Sequence, residues 1–516
     1  MHTLRLKLKL TKYQYNLLNY IFFIAHKIYI KCVKYAQKQI RKFEKDKKYK
    51  HNKYLYIKYK NKLSKYEKLL KDLDKANKKT KRKLKKYYNL NIKDLNKRLK
   101  DLQVERNEII SKYLSKTDLE KFVKLQQHKF KKYLNSNQAQ KIVNNIWNSV
   151  ESYLYKNGKA IHIKSFKDFN CISQKTASTG LRFRDNKIKF IGEEFEIIFK
   201  NTNYERQSLL SDIKYLELIK KEFANGNEFY VNFVLEGEAP RKIDKGLEEI
   251  GIDPGVSHEA ITGDTFCRLE ELAPRCKEYN RQIQKLQRQI DISTRATNLN
   301  LYNSDGTIKK GSKGKFKFSK HCLYLKRKLR MLYAKKRDYT KCMHNQLANK
   351  IIEKADCIKI EKMDFNKLAK RSKNTERQDN PSAIDGKEVY KYKKKKRFGK
   401  SVSDRSPGLF VKTLEQKANR YNVKFEKIET SKVKASQYEH DKDDFVKHKL
   451  SERTKTVGKK LVQRDLYSAY IIKNVEDLEN INKSKCKKDF KKFIKNQEQE
   501  FKRIRKLGIK NKNFGI

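Results

Sequence analysis

The chain has 516 residues, with 127 Lys and Arg against 60 Asp and Glu, for a formal charge of +67. Such a surplus repels itself and needs a polyanion; nucleic acid fits best, because each neutralised phosphate releases a counterion. The length allows about three or four domains. The composition excludes a disulfide scaffold, a conventional zinc framework and a membrane span. The eight cysteines are scattered without a C-x-x-C pair, and the longest apolar stretch, 20–30, is broken by His26 and Lys27. No signal-peptide design opens the chain, so a soluble protein of a reducing cytoplasm is expected. Lysine-rich codon bias accounts for part of the excess but not for the imbalance of sign.

Leu4, Leu6, Leu8 and Leu10 alternate with Arg5, Lys7 and Lys9, which predicts a half-buried strand with a basic outer face. Thr11 and Gln14 form a capping-box pattern. Leu17, Leu18, Ile21, Ala25, Ile28 and Cys32 then continue at helical spacing. From about 40 to 135 there is neither proline nor glycine, and Lys, Leu, Tyr, Glu and Asp dominate. Long basic helices, arranged as hairpins, are expected there, facing nucleic acid rather than forming a solvated coiled coil. Tyrosines among the lysines, such as Tyr13, Tyr15, Tyr54 and Tyr66, are core residues or stacking platforms, and none stands out as a base reader. A further amphipathic helix follows over 135–156, with Ile142, Ile146, Trp147, Val150 and Leu154 on one face.

Beyond it the period changes. Asp185-Asn186 is a turn signal, Phe195, Ile197 and Phe199 alternate, and so do Phe229, Val231, Phe233 and Leu235. With the opening strand these segments predict a small β-barrel into which the helical block is inserted. The stretch 236–244, with Gly237 and Pro240, reads as a linker, after which strands alternate with long helices as in an α/β domain. Strands are expected at 250–253 and 357–361, with 259–266 as a hairpin partner of the first. Between them lies a long helix whose apolar face includes Leu325, Leu329, Leu332 and Met343. Its opposite face is basic, and Lys326, Arg327, Arg330, Lys335 and Arg337 are candidate nucleic-acid contacts. Residues 366–407 read as a mobile loop, 409–421 as a helix followed by a strand, and 431–463 as polar and irregular.

Three carboxylates occupy particular places in this block. Asp253 ends one apolar strand, Glu361 ends another, and Asp465 opens a helix. A strand-end acid is ordinarily a turn former or an ion-pair partner. The ordered set is more informative, because carboxylates lifted to a sheet edge can share two Mg²⁺ ions and cut a phosphodiester by in-line displacement. Asp253 would bridge both ions, with Glu361 and Asp465 each completing one. Gly251 and Gly255 leave room for backbone or substrate.

Gly251-Ile252-Asp253-Pro254-Gly255 resembles the opening motif of RuvC-type nuclease domains. The run from Leu325 to Ile358-Lys359-Ile360-Glu361 resembles the middle of transposon-encoded TnpB nucleases and compact type V CRISPR effectors. Arg464-Asp465, then Ser468-Ala469, is similar to their third motif, and Ser136-Asn137-Gln138-Ala139 to the helix that re-enters their wedge barrel. The resemblance covers most of the chain and is weakest in 40–135.

It implies a multidomain α+β protein. A wedge barrel would span 1–10 and 157–240 and a helical recognition domain 11–156. A RuvC/RNase H-like nuclease domain would occupy 241–430 and 464–480, a degenerate zinc-knuckle insertion 431–463, and a basic tail 481–516. It also implies a prokaryotic RNA-guided DNA endonuclease with Asp253, Glu361 and Asp465 as catalytic metal ligands, two Mg²⁺ ions, a structured guide RNA and double-stranded target DNA. The oligomeric state stays open. Where the family carries two C-x-x-C pairs, this chain has 436–440 and 457–460 without cysteine, so no structural zinc and a differently packed lid are expected. His440, Asp441, Asp443, Asp444 and His448 lack tetrahedral ligand spacing and are expected in a solvated loop. Lys362 replaces the acid that commonly follows the Glu, and Tyr467 the usual Asn. Two other readings are a guided DNA-binding repressor that no longer cuts and a general basic RNA-binding scaffold.

Overall fold

The computed structural model describes residues 1–73, 78–156, 158–223, 225–309, 314–370, 382–384, 387–389, 398–448, 452–509 and 514. The chain is mixed α/β and divides into two compact units, 1–240 and 241–516.

In the first unit β1 (His2–Lys9) leads into α1 (Lys12–Phe43). Leu4, Leu6 and Leu8 are buried, as their alternation predicts. The capping box forms: Gln14 N donates to Thr11 Oγ1 at 3.2 Å, and Thr11 N donates to Gln14 Oε1 at 3.3 Å. Helices α2 (Lys47–Asp72) and α3 (Lys78–Ser111) make an antiparallel hairpin, followed by α4 (Lys116–His128) and α5 (Ser136–Tyr155). A buried amide joins the hairpin. Asn52 Nδ2 donates to Leu102 O and Glu105 Oε2, both at 2.9 Å, and Arg106 Nε donates to Asn52 Oδ1 at 3.1 Å.

Strands β2 (Cys171–Ser173), β3 (Arg182–Arg184), β4 (Lys187–Phe190) and β5 (Glu193–Ile198) follow. Then come α6 (Asn203–Leu209), β6 (Ile213–Phe223) and β7 (Gly226–Leu235). Asp185 and Asn186 sit at φ 53° and 58°, which is the left-handed two-residue turn that a tight hairpin needs. The seven strands form one antiparallel sheet in the order β2-β6-β7-β1-β5-β4-β3. Its ends, β2 and β3, are three-residue strands, and no pairing between them closes the expected barrel among the described residues.

The second unit opens with β8 (Glu248–Pro254), β9 (His258–Thr262) and β10 (Cys267–Glu271). The helices α7 (Cys276–Thr297) and α8 (Lys320–Ile352) lead to β11 (Ala355–Glu361) and α9 (Phe365–Ala369). Next are the short strands β12 (Ser382–Ile384) and β13 (Lys387–Val389), then α10 (Gly399–Arg405), α11 (Pro407–Arg420), β14 (Lys424–Ile428) and α12 (Thr430–Val433). Two hairpins, β15 (Tyr438–Glu439) with β16 (Asp444–Phe445) and β17 (Thr454–Val457) with β18 (Lys460–Gln463), precede α13 (Arg464–Lys473). The strands β19 (Val475–Glu476) and β20 (Asn480–Ile481) and the helix α14 (Lys483–Lys506) end the unit.

The main sheet has the order β10-β9-β8-β11-β14; β8, β11 and β14 run parallel, and β9 and β10 antiparallel. Helices α8 and α11 cover one face, where Ile250, Ile252, Ile358 and Ile360 are buried, and α13 and α14 pack against the other. Part of the expected loop 366–407 is helical: in α10, Arg405 is buried and donates to Glu271 Oε1 at 2.7 Å. Most of that loop, 371–381, 385–386 and 390–397, lies outside the described residues. No described helix is long and apolar enough to cross a membrane.

Asn52→Ala removes both acceptor and donor from the α2–α3 hairpin and strands Leu102 O and the Arg106 guanidinium. A loss of about 1–3 kcal/mol is expected, read as a lower thermal unfolding midpoint.

Candidate active site

The site is built from the middle of the sheet. Ile252 of β8 lies opposite Ile360 of β11, so Asp253 and Glu361, one residue further on, leave the same end of neighbouring parallel strands. Asp465 comes from the first turn of α13, and what brings it in is a glycine. A Cβ at Gly251 would stand 2.1 Å from Ala469 O and 2.5 Å from Lys473 N, so the α13 backbone rests directly on β8. Gln463 caps α13, accepting from Leu466 N at 2.6 Å, and its own N–H donates to Gln497 Oε1 of α14 at 2.8 Å.

The three acids share one electrostatic neighbourhood. Burial pushes the Asp253 carboxyl well above its ordinary value, and the charges of Glu361 and Asp465 push it further. Burial also raises Glu361. Asp465 goes the other way: burial would raise it, but the hydrogen bond and charge of His258, with Arg464, hold it down to about 2. His258 Nε2 is 3.1 Å from Asp465 Oδ2, Arg464 Nη2 donates to Oδ1 at 3.0 Å, and Arg453 Nη1 lies 3.6 Å from Oδ2. The Phe514 ring stands edge-on to His258 at 5.5 Å. Asp253, His258, Arg453, Arg464 and Asp465 line a cleft of about 340 Å³.

Three further residues of the site, His258, Glu259 and Arg453, carry no local sequence signal that marks them. The first two open β9, which pairs with β8 so that Asp253 faces Ala260. Glu259 is fully buried, and neither of its carboxylate oxygens has a hydrogen-bond partner among the described residues. Burial, then the charge of Asp253, pushes it well above its ordinary value. Buried carboxylates that repel one another without a counter-cation are costly. Hard oxygen donors in that condition have the chemistry that a divalent cation of the Mg²⁺ type takes, but their arrangement does not fit one. As they stand, no group of three or more His, Cys, Asp or Glu side chains that could hold one ion occurs among the described residues. The reason for Asp465 is visible: its oxygens face His258, Arg464 and Arg453.

The five basic candidates of α8 do not line this cleft. Arg327, Arg330, Lys335 and Arg337 are exposed, and Lys326 lies over the Phe318 ring at 3.0 Å. Of the residues expected in a solvated loop, Asp441, Asp443 and Asp444 are exposed, whereas His440 is buried and His448 is half-buried. Glu439 is buried and meets Lys442 at 2.9 Å, His448 at 3.0 Å and Lys455 at 3.8 Å. Tyr467 points away from the cleft chemistry: it is fully buried, and its hydroxyl is 2.8 Å from His440 Nδ1 and accepts from His440 N at 3.1 Å. Lys362 pairs with Glu429 at 3.2 Å.

The shifts set opposite signs for two substitutions made in chelator. An acid raised on folding is accommodated better when protonated, so its ionisation weakens the fold as pH rises. Asp253→Asn is therefore expected to raise the unfolding midpoint at neutral pH. Asp465 is depressed: its contribution is present above about pH 4 and lost as pH falls towards about 2. Asp465→Asn is expected to cost roughly 2 kcal/mol at pH 7 and to flatten that acid limb, as thermal melts across pH would show.

No family model and no curated protein matches this sequence. Among solved structures, the cryo-EM structure of a CRISPR-Cas12f ternary complex is similar over 70% of this chain and 75% of that chain, with 11% identity and a TM-score of 0.26. That score is too low to carry an argument, and the functional reading rests on the site itself.

Proposed function

We propose that this chain is an RNA-guided DNA endonuclease of the TnpB and compact type V kind, with a RuvC-like second unit. The observation that carries the reading is the convergence of Asp253, Glu361 and Asp465 at one end of a parallel strand pair, inside a chain of charge +67. Asp253 and Glu361 would hold Mg²⁺ together with Asp465. Two such ions supply an activated water and stabilise the leaving oxygen.

The protein's own groups do the rest. Arg464 and His258 orient the Asp465 carboxylate, and the α13 backbone on Gly251 fixes its distance from β8. The basic faces of both units hold guide RNA and double-stranded target by shape and charge, and base pairing reads the sequence. The sheet of the first unit would take the wedge role, and α1 to α5 the recognition role.

One observation favours the second reading, a guided binder that does not cut. Asp465 already has Arg464 at 3.0 Å, His258 at 3.1 Å and Arg453 at 3.6 Å around its carboxylate. Co-purified RNA separates the two. A discrete structured RNA is expected, and with it cleavage of a matching target in Mg²⁺ that Asp253→Ala reduces to background while target binding persists. Guided binding without cleavage by the unsubstituted protein would establish the repressor reading, and heterogeneous RNA would leave only a basic scaffold.

A further inference from the structure

The α2–α3 hairpin is held unevenly along its length. Near its base the buried Asn52 joins the two helices, and Leu95 and Leu102 are buried. Over 53–71 and 82–94, the part nearer the turn, no residue is buried. Three rings meet there. Tyr66 of α2 stands 5.8 Å from Tyr88 and 6.5 Å from Tyr87 of α3, and Tyr87 and Tyr88 are 5.8 Å apart. Tyr66 and Tyr88 are half-buried, whereas Tyr87 is 57% exposed. Tyrosines nearer the base are covered by the hairpin itself: Arg106 lies over Tyr56 at 4.3 Å and Arg98 over Tyr59 at 5.9 Å. Among the described residues no cation lies over the three clustered rings.

Two of these rings have the same surroundings. Lys62 comes four residues before Tyr66 and Leu69 three after it; Lys83 and Leu90 stand in the same relation to Tyr87. That spacing puts each set of three on one helix face. Leu69 and Leu90 are exposed, and so are both lysines, which have no ion-pair partner among the described residues. Glu67 is the only acid over 58–71, and 82–93 has none. Such a face needs an occupant that is anionic and offers flat apolar surfaces. An acidic peptide would meet the lysines and leave the rings uncovered. Bases within a duplex stack on one another, but unpaired bases offer a free face to an aromatic ring. A folded RNA presents them in loops and bulges, whereas double-stranded DNA presents none until it is opened.

We propose that Tyr66, Tyr87 and Tyr88 form a stacking platform for unpaired bases of the RNA this protein binds, with Lys62 and Lys83 on the flanking phosphates. Tyr87 supplies the open ring face, and Tyr66 and Tyr88 back it. This rests on the reading of the chain as an RNA-binding protein and adds the place where a single-stranded segment of that RNA is held.

The test uses the full-length protein, freed of nucleic acid, and three short fluorescein-labelled probes read by anisotropy: an oligouridylate, an oligothymidylate and a blunt RNA duplex. Tyr87→Ala is expected to weaken oligouridylate binding about tenfold and to leave duplex binding unchanged. Tyr87→Phe keeps the ring and is expected to bind as the unsubstituted protein does. Lys62→Gln combined with Lys83→Gln is expected to flatten the salt dependence of oligouridylate binding. Under ultraviolet light a 5-bromouridine-substituted oligouridylate is expected to cross-link to the peptide that carries Tyr87. Circular dichroism checks the fold of each variant. Unchanged oligouridylate affinity in Tyr87→Ala, or an equal loss for single strand and duplex, would overturn the platform while leaving RNA binding standing. An equal loss in Tyr87→Phe would assign the effect to the hydroxyl and overturn stacking. An unchanged salt dependence would remove the two phosphate contacts. Tyr87-dependent binding confined to oligothymidylate would overturn the assignment to RNA. Failure of the unsubstituted protein to bind either RNA probe would sink the RNA-binding reading and the platform together.

Discussion

Position 251 has no room for a side chain, and the arrangement of acids depends on that. With the α13 backbone seated on β8, the start of α13 comes down beside the end of the central strand, and a carboxylate from a helix joins two from strands. A larger residue at 251 would lift the whole helix, because the obstructing atoms are the Ala469 carbonyl and the Lys473 amide rather than movable side-chain ends. Backbone atoms yield only by shifting the element that carries them.

The consequence is a concentration of like charge that the fold resolves unevenly. Asp465 receives His258, Arg464 and Arg453, whereas Asp253 is crowded by Glu361 and by Asp465 itself. Glu259, beneath the same strand end, receives no partner among the described residues. Structural ion-pair networks distribute cations so that no carboxylate is left over. Here one acid is over-served and its neighbours are left strained, a polarity more useful for handling a charged ligand than for holding a fold together.

Much of this was legible where the signal is local. The Leu4–Leu10 alternation, the Thr11–Gln14 cap and the Asp185-Asn186 turn depend on a few consecutive residues, and each is present. The three acids were legible because strand ends and a helix start can be read from short apolar runs. Helix α7 was not: Cys276, Tyr279, Ile283, Leu286 and Ile290 do recur at helical spacing, but they are spread through an otherwise polar and basic stretch that reads first as charge. Strand β6 was missed as well, and its Lys220 is buried beneath the Phe22 and Phe166 rings, against the rule that lysines face water. The role of His258 depends on the β8–β9 register and on a helix some two hundred residues away, and no window of sequence contains both. Within 431–463 the solvated reading holds for Asp441, Asp443 and Asp444 but not for His440 and His448, because polar composition alone does not show which charges are paired inward around Glu439.

Helix α14 reaches back from the far end of the described chain. Gln497 accepts from the residue that caps α13, Glu500 accepts from Leu269 N at 2.9 Å and from Arg268 Nη1 at 3.1 Å, and Phe514 closes on His258. A ribosome releases Asp253 and Glu361 long before it makes these partners. During synthesis the first two acids therefore wait in an unfinished cleft, which is completed only after residues beyond 500 have emerged. Polypeptides halted earlier in translation carry the positive charge and the helices of the first unit without the completed arrangement of acids.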